Sequence, residues 1–329
     1  MTDHLPPAKK TFKEHVRGFD FVGAISCCCG LSLLLIAMIQ GVVPDPVLST
    51  PAALAGIVVA GVLCVSIFVV DQFHAADPLI PPSIFLNRTF ATTTICGTFM
   101  AFARNSILYN MIFFLQGPYG MDPLTAGITL IPYGVGTVFA GFSSGALTDK
   151  IGVRNMVVAG PLVTIAGMAC LSVMDPNTSA AYLGGILFLT GCGLGLFNSP
   201  NATANMLSVL PSRRGVASAM GMLTMTFSMM VGIVLTFSLV LHSMSSAQLF
   251  NLFIYGGKAE GLPVQALLNA LALDYYIVMG ACGIAAAAGL MHKAGGIQAV
   301  SAKVQVSNAD YQEVPDTNAS ATPPVEELV

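Results

Sequence analysis

Few residues in this sequence are placed to do chemistry, and those that are stand inside or beside long apolar runs. Arg104 is the one basic residue deep in such a run. A guanidinium at that depth is costly unless it meets water, a counter-charge or a cavity. It either reaches along its helix toward the nearer surface or lines a cavity where an anionic group can meet it. Asn198, Asn201 and Asn205 are spaced three and four apart and share one helical face. Amides turned to lipid are unfavourable, so this face points inward, either to bond neighbouring helices or to line a path. Met222, Met225 and Met229 share a face of the next run, where flexible thioethers either pack or form an adaptable ligand surface. A different cluster, Gly145, Leu147, Asp149, Lys150, Gly152 and Arg154, follows the order G-x-L-x-D-K-x-G-x-R. It joins two apolar runs by a very short loop. Asp149 can accept bonds from the free amides of the next helix, Lys150 and Arg154 can anchor the loop in the cytoplasm, and Gly145 and Gly152 allow close backbone approach.

Other patterns have packing explanations. Gly141, Ser143 and Gly145 match G-x-S-x-G, but a nucleophile elbow needs a strand-to-helix turn and a histidine. His4, His15, His74, His242 and His292 all lie at or beyond the ends of the apolar runs. Gly191, Gly193 and Gly195 follow no strand, which argues against a dinucleotide loop. Gly141 with Gly145, and Gly191 with Gly195, instead make the small-residue step of close helix packing. The eight cysteines, including the triplet Cys27, Cys28 and Cys29, have no C-x-x-C spacing and no histidine nearby to complete a metal site. They read as small helix residues, with acylation of the triplet as the alternative. No enzyme, metal or cofactor is expected. No acidic residue is expected deep in a run; Asp274 comes nearest, about three residues inside the last one.

The elements that must position these residues follow from composition. Of the 329 residues 55% are hydrophobic and 9% charged, with a mean hydropathy of +0.78. A soluble domain carries about 25% charged residues, so the bilayer is the natural solvent for this chain. A net charge of −3 and the lack of a basic stripe give no sign of a nucleic-acid partner. Eight runs reach spanning length: 19–43, 51–70, 90–115, 123–147, 156–174, 180–206, 216–241 and 271–291. They lack the period-two alternation of barrel strands. The fold expected is all-α and polytopic. Residues 1–18 form a cytoplasmic segment without signal-peptide character, 19–71 a helical hairpin, and 72–89 a cytoplasmic linker. Residues 90–292 make a six-helix bundle with an extracellular loop at 243–270, in which 247–255 suits a short amphipathic helix, and 293–329 a disordered cytoplasmic tail. With both termini cytoplasmic, Lys9, Lys10, Lys13, Arg17, Arg88, Lys150, Arg154, Arg213, Arg214, Lys293 and Lys303 fall inside and only Lys258 outside. That is a strong positive-inside bias.

The G-x-L-x-D-K-x-G-x-R order resembles the cytoplasmic loop signature of the major facilitator superfamily. More narrowly, the chain resembles the fourteen-helix drug/proton antiporters of the EmrB/QacA type. Phe19-Asp20-Phe21-Val22-Gly23-Ala24 is similar to the start of that group's seventh helix, and Phe85-Leu86-Asn87-Arg88-Thr89-Phe90 to the start of its ninth. Phe114-Leu115-Gln116, Leu124-Thr125-Ala126-Gly127 and Pro132 are similar to the ninth-to-tenth connection, and Gly191, Gly193, Gly195 and Pro200 to the twelfth helix. The resemblance runs from about Phe19 to Met291.

It implies that the first two runs are the extra central pair and the last six the C-terminal bundle. The N-terminal bundle, with its antiporter signature and coupling acids, has no counterpart in these runs. The function implied is the C-terminal part of a proton-driven exporter of amphipathic small molecules in the cell membrane. Arg104, Asn198, Asn201, Asn205, Met222, Met225 and Met229 would be its path residues, and Gly145, Asp149, Lys150, Gly152 and Arg154 its conformational latch. The partners implied are the lipid bilayer, a small-molecule substrate, and either a chain carrying the other bundle or a second copy. The alternative is a truncated or accessory membrane subunit that transports nothing itself.

Overall fold

The computed structural model describes residues 20–42, 50–74, 86–174, 178–209, 214–245, 248–249, 251–252 and 263–291. The expected N-terminal segment and C-terminal tail lie outside these residues, as do most of the linker and much of the expected short amphipathic helix at 247–255, of which 248–249 and 251–252 are described and helical. Within them the chain is all-helical: α1 (Phe21–Val42), α2 (Pro51–His74), α3 (Arg88–Gln116), α4 (Pro123–Thr129), α5 (Ile131–Ile151), α6 (Val153–Ser172), α7 (Ala180–Leu207), α8 (Arg214–Ser243) and α9 (Val264–Leu290). By length and apolarity α2, the α4–α5 pair, α6, α7, α8 and α9 can each cross a membrane, and α1 is a shorter apolar helix. At 29 residues α3 is long enough, about 43 Å at 1.5 Å per residue. Its buried Thr92, Thr93, Thr94, Asn105 and Asn110 make it less apolar, as suits a helix enclosed by others.

Local chemistry sets the helix ends. Asn87 caps α3, its side chain accepting from the Thr89 amide at 3.0 Å. Phe90, just inside, is fully buried with Val209 and Ala217. Asp122 caps α4; the hydroxyl and amide of Thr125 donate to it at 2.6 and 3.2 Å and hold its carboxyl below the usual carboxylate range. The expected run 123–147 breaks at Leu130, because Pro132 lacks the N–H that would continue the ladder. The last helix begins at Val264, seven residues before the expected start at 271, on the C-terminal side of Pro263.

In the bundle α5 packs on α7, α7 on α6, α6 on α9, α9 on α3 and α3 on α8. Glycines set the closest crossings. A Cβ at Gly191 or Gly195 would collide with the carbonyls of Tyr133 and Thr137 on α5, and one at Gly136 with that of Phe188 on α7. Gly193 points the opposite way, where a Cβ would stand 2.6 Å from the Thr164 amide on α6. The G-x-G-x-G of α7 is thus a two-sided packing device. Gly141 and Gly145 behave otherwise: a Cβ on either would meet nothing within 4 Å, although the Gly141 nitrogen lies 2.8 Å from where a Cβ of Gly195 would stand, so Gly141 takes part in the α5–α7 crossing and Gly145 meets no neighbour among the described residues. Ser143, exposed and donating to the Phe139 carbonyl at 3.0 Å, sits mid-helix and not on an elbow.

The hairpin of α1 and α2 is closed near its ends by Gln72, whose amide donates to Asp20 at 2.7 Å. The hairpin touches the bundle through α8.

Candidate functional site

The seam between α3 and α8 carries the polar contacts nearest Arg104. Gly232 lets the helices meet: a Cβ there would stand 2.7 Å from the Phe102 carbonyl. Ser106 donates to the Gly232 carbonyl at 3.3 Å and Asn105 to the Met229 carbonyl at 3.4 Å. Half-buried Arg104 lies on the same seam and places Nη2 3.2 Å from Met229 Sδ. The guanidinium is therefore turned against α8. On α5, Tyr133 has a buried hydroxyl with no hydrogen-bond partner.

One to two turns along, α7 joins. Around Gly97 of α3 the Asn201 amide nitrogen and the Met225 methyl come so close that a Cβ would stand 3.0 and 2.9 Å from them. Asn201 is fully buried, and neither amide atom has a partner. Asn205, also buried, leaves its Oδ1 without a partner and turns its amide nitrogen toward Gly221 of α8. Arg104, Asn201, Asn205, Met225 and Met229 thus gather where α3, α7 and α8 converge. Asn198 and Met222 are exposed, Met222 to 68%, and do not join them.

The loop cluster sits apart from this junction. Gly152 at φ 90° ends α5, its N–H bonded to the Thr148 carbonyl at 2.8 Å, and starts α6. Its glycine is required by that left-handed backbone and not by close approach. Asp149 does not cap α6 as expected: α5 continues through it to Ile151, and no side chain caps α6. Asp149, Lys150 and Arg154 are exposed, as is Gly145.

The expectation that no acid lies deep in a span is overturned by Asp274. With α9 starting at Val264, this carboxylate sits ten residues in, about 15 Å along the helix. It is 1% exposed. Asn110 of α3 and Thr236 of α8 donate to its Oδ2 at 2.8 and 3.1 Å. The sequence held a signal for this: Pro263 followed by the helix-forming residues Val264 to Ala270. Gln265 and Asn269 lowered the apolarity of that stretch and hid the helix start.

A profile of the Major Facilitator Superfamily matches residues 12–234. Multidrug resistance protein 3 of Bacillus subtilis is 27% identical over 231 residues, which is 68% of this chain and 44% of that protein. An uncharacterized MFS-type transporter of Schizosaccharomyces pombe is 25% identical over 70% of this chain and 39% of its own length. Multidrug resistance protein Stp of Mycobacterium tuberculosis is 27% identical over 64% and 38% respectively. The chain spans less than half the length of these relatives.

Proposed function

Since the chain belongs to the Major Facilitator Superfamily, we propose that it is the C-terminal part of a proton-driven exporter of amphipathic small molecules, working with a second six-helix bundle. Members of this family are transporters and not enzymes. The observation that carries the reading is the junction of α3, α7 and α8, where Arg104, the unpartnered amide of Asn201 and the unpartnered Oδ1 of Asn205 lie with the soft side chains of Met225 and Met229. Buried polar groups without partners are costly, and a ligand's polar atoms would satisfy them. Thioethers adapt to varied apolar shapes, which suits the broad substrate range that the relatives' names indicate.

The need for a second bundle is supported by α5. Ile131, Val135, Val138, Phe139 and Phe142 line an open apolar groove beside Gly134, and a Cβ at Gly134, Gly141 or Gly145 would meet nothing within 4 Å. Glycines give a helix no advantage against lipid but let another helix approach. Both termini lie in the cytoplasm on this reading, from the eleven-to-one charge bias. The test is Arg104→Ala and Arg104→Leu in the assembled transporter. Both variants should reach the membrane in normal amount and lose at least tenfold in gradient-driven efflux. Normal efflux from both would remove Arg104 from the path.

A further inference from the structure

The described helices hold one fully buried carboxylate at membrane depth that the substrate junction does not use. Asp274 receives two hydrogen bonds, both on Oδ2. Its Oδ1 is buried and has no partner. The Asn110 side chain is committed: its nitrogen donates to Asp274 and to the Leu271 carbonyl at 3.0 Å, while its own Oδ1 is buried without a donor. Thr236 donates to Asp274 and has its hydroxyl 3.1 Å from the Gly232 carbonyl. The pocket therefore contains two enclosed acceptor oxygens with nothing to donate to them.

Charge bookkeeping points the same way. The ionisable groups on α9 and on the helices packed against it are Arg88, Cys96, Arg104 and Tyr109 on α3, Arg154 and Cys170 on α6, Arg214 and His242 on α8, and Tyr275, Tyr276 and Cys282 on α9 itself; the hydrogen-bond partners of Asp274 are instead the neutral Asn110 and Thr236. An unpaired carboxylate in this setting is costly. We propose that Asp274 Oδ1 is a proton-binding site of this bundle, with Asn110 and Thr236 as its positioning residues. A proton on Oδ1 removes the charge and supplies the missing donor in one step. A metal cation suits the site less well, because hard cations take about six oxygen ligands and the site offers two unpartnered ones, Asp274 Oδ1 and Asn110 Oδ1.

The proton would be felt along the α3–α8 seam. Asn110 is on α3 and Thr236 on α8, and their two bonds meet on the same oxygen. A change of charge on that oxygen alters both bonds. The seam continues through Ser106 with Gly232 and Asn105 with Met229 to Arg104. This deepens the proton-driven reading and rests on it for its role in transport, but binding of the proton can be read without any transport.

Purified full-length chain in lipid would be followed by infrared difference spectroscopy between acid and neutral pH. The wild type should show the carbonyl stretch of a buried protonated carboxyl, and Asp274→Asn, close in shape and uncharged, should lack it. Asn110→Leu and Thr236→Val should move the band without removing it, which also covers the case in which Asp274→Asn fails to fold. Asp274→Glu should keep a band at a shifted position. A band that is the same in all four variants would overturn the proposal, as would its displacement by sodium at constant pH. If the band behaves as expected but the assembled transporter ignores a proton gradient, the site stands and the proton-driven reading fails.

Discussion

Asp149 and Arg154 each stand where their own helix disfavours them. Asp149 is in the last turn of α5, at the negative end of its dipole, and Arg154 is in the first turn of α6, at the positive end. Neither finds an ion pair among the described residues, and both are exposed. We propose that charges held against two dipoles take partners that come and go, as a latch between conformations would require. Asp149→Asn keeps the shape and removes the charge. In an assembled transporter it should slow turnover roughly five- to thirtyfold and leave substrate affinity within twofold, since an electrostatic contact of about 1–2 kcal/mol in one state shifts an equilibrium by that much. Steady-state efflux kinetics separate the two effects: a large loss of affinity at unchanged turnover would place Asp149 in the binding site and not in the latch.

The helices themselves were legible in the sequence, because runs of about 20 apolar residues between Pro, Gly and Asp breakers have few other readings. The starts of α2 and α7 at Pro51 and Ala180 match the expected positions. The sequence was misleading where apolarity and helicity part company. The first turns of α9 carry Gln265 and Asn269, so a reading based on apolarity began late and set Asp274 near a surface. Arg104, Asn201 and Asn205 were visible as polar residues in apolar runs, but their assembly with Met225 and Met229 depends on glycines 97 and 232, whose role appears only when helices are packed. Asn110 and Thr236 gave no signal, since a lone amide or hydroxyl in a helix is ordinary until its partner is known. The direction in which the helices cross the membrane rests on charge, and it can be tested element by element. In a cysteine-free background Ser179→Cys, between α6 and α7, should react with an impermeant thiol reagent in intact cells, and Asn155→Cys, at the start of α6, should not. The reverse labelling would invert the arrangement.

At the scale of the whole molecule, the described residues form one six-helix bundle with a hairpin beside it, and alternating access moves two bundles against each other around a shared midplane site. Half-buried Arg104 and exposed Asn198 would then face a second bundle or water in the working transporter, and a single bundle surrounded by lipid would leave them badly solvated. The apolar and glycine-rich face of α5 offers a surface for such a partner. Two kinds of partner supply a second bundle: a segment or chain with the other six helices, or a second copy of this chain. The chain of 329 residues, reconstituted alone into vesicles at a protein-to-lipid ratio low enough to isolate single copies, should not move cationic dyes when a proton gradient is imposed. Dye movement that appears only as copy number per vesicle rises, with cross-linking through cysteines placed at Val138 or Phe142, would identify the second copy as the partner. Gradient-driven movement by vesicles holding one copy each would show that one bundle suffices and would end the two-bundle reading.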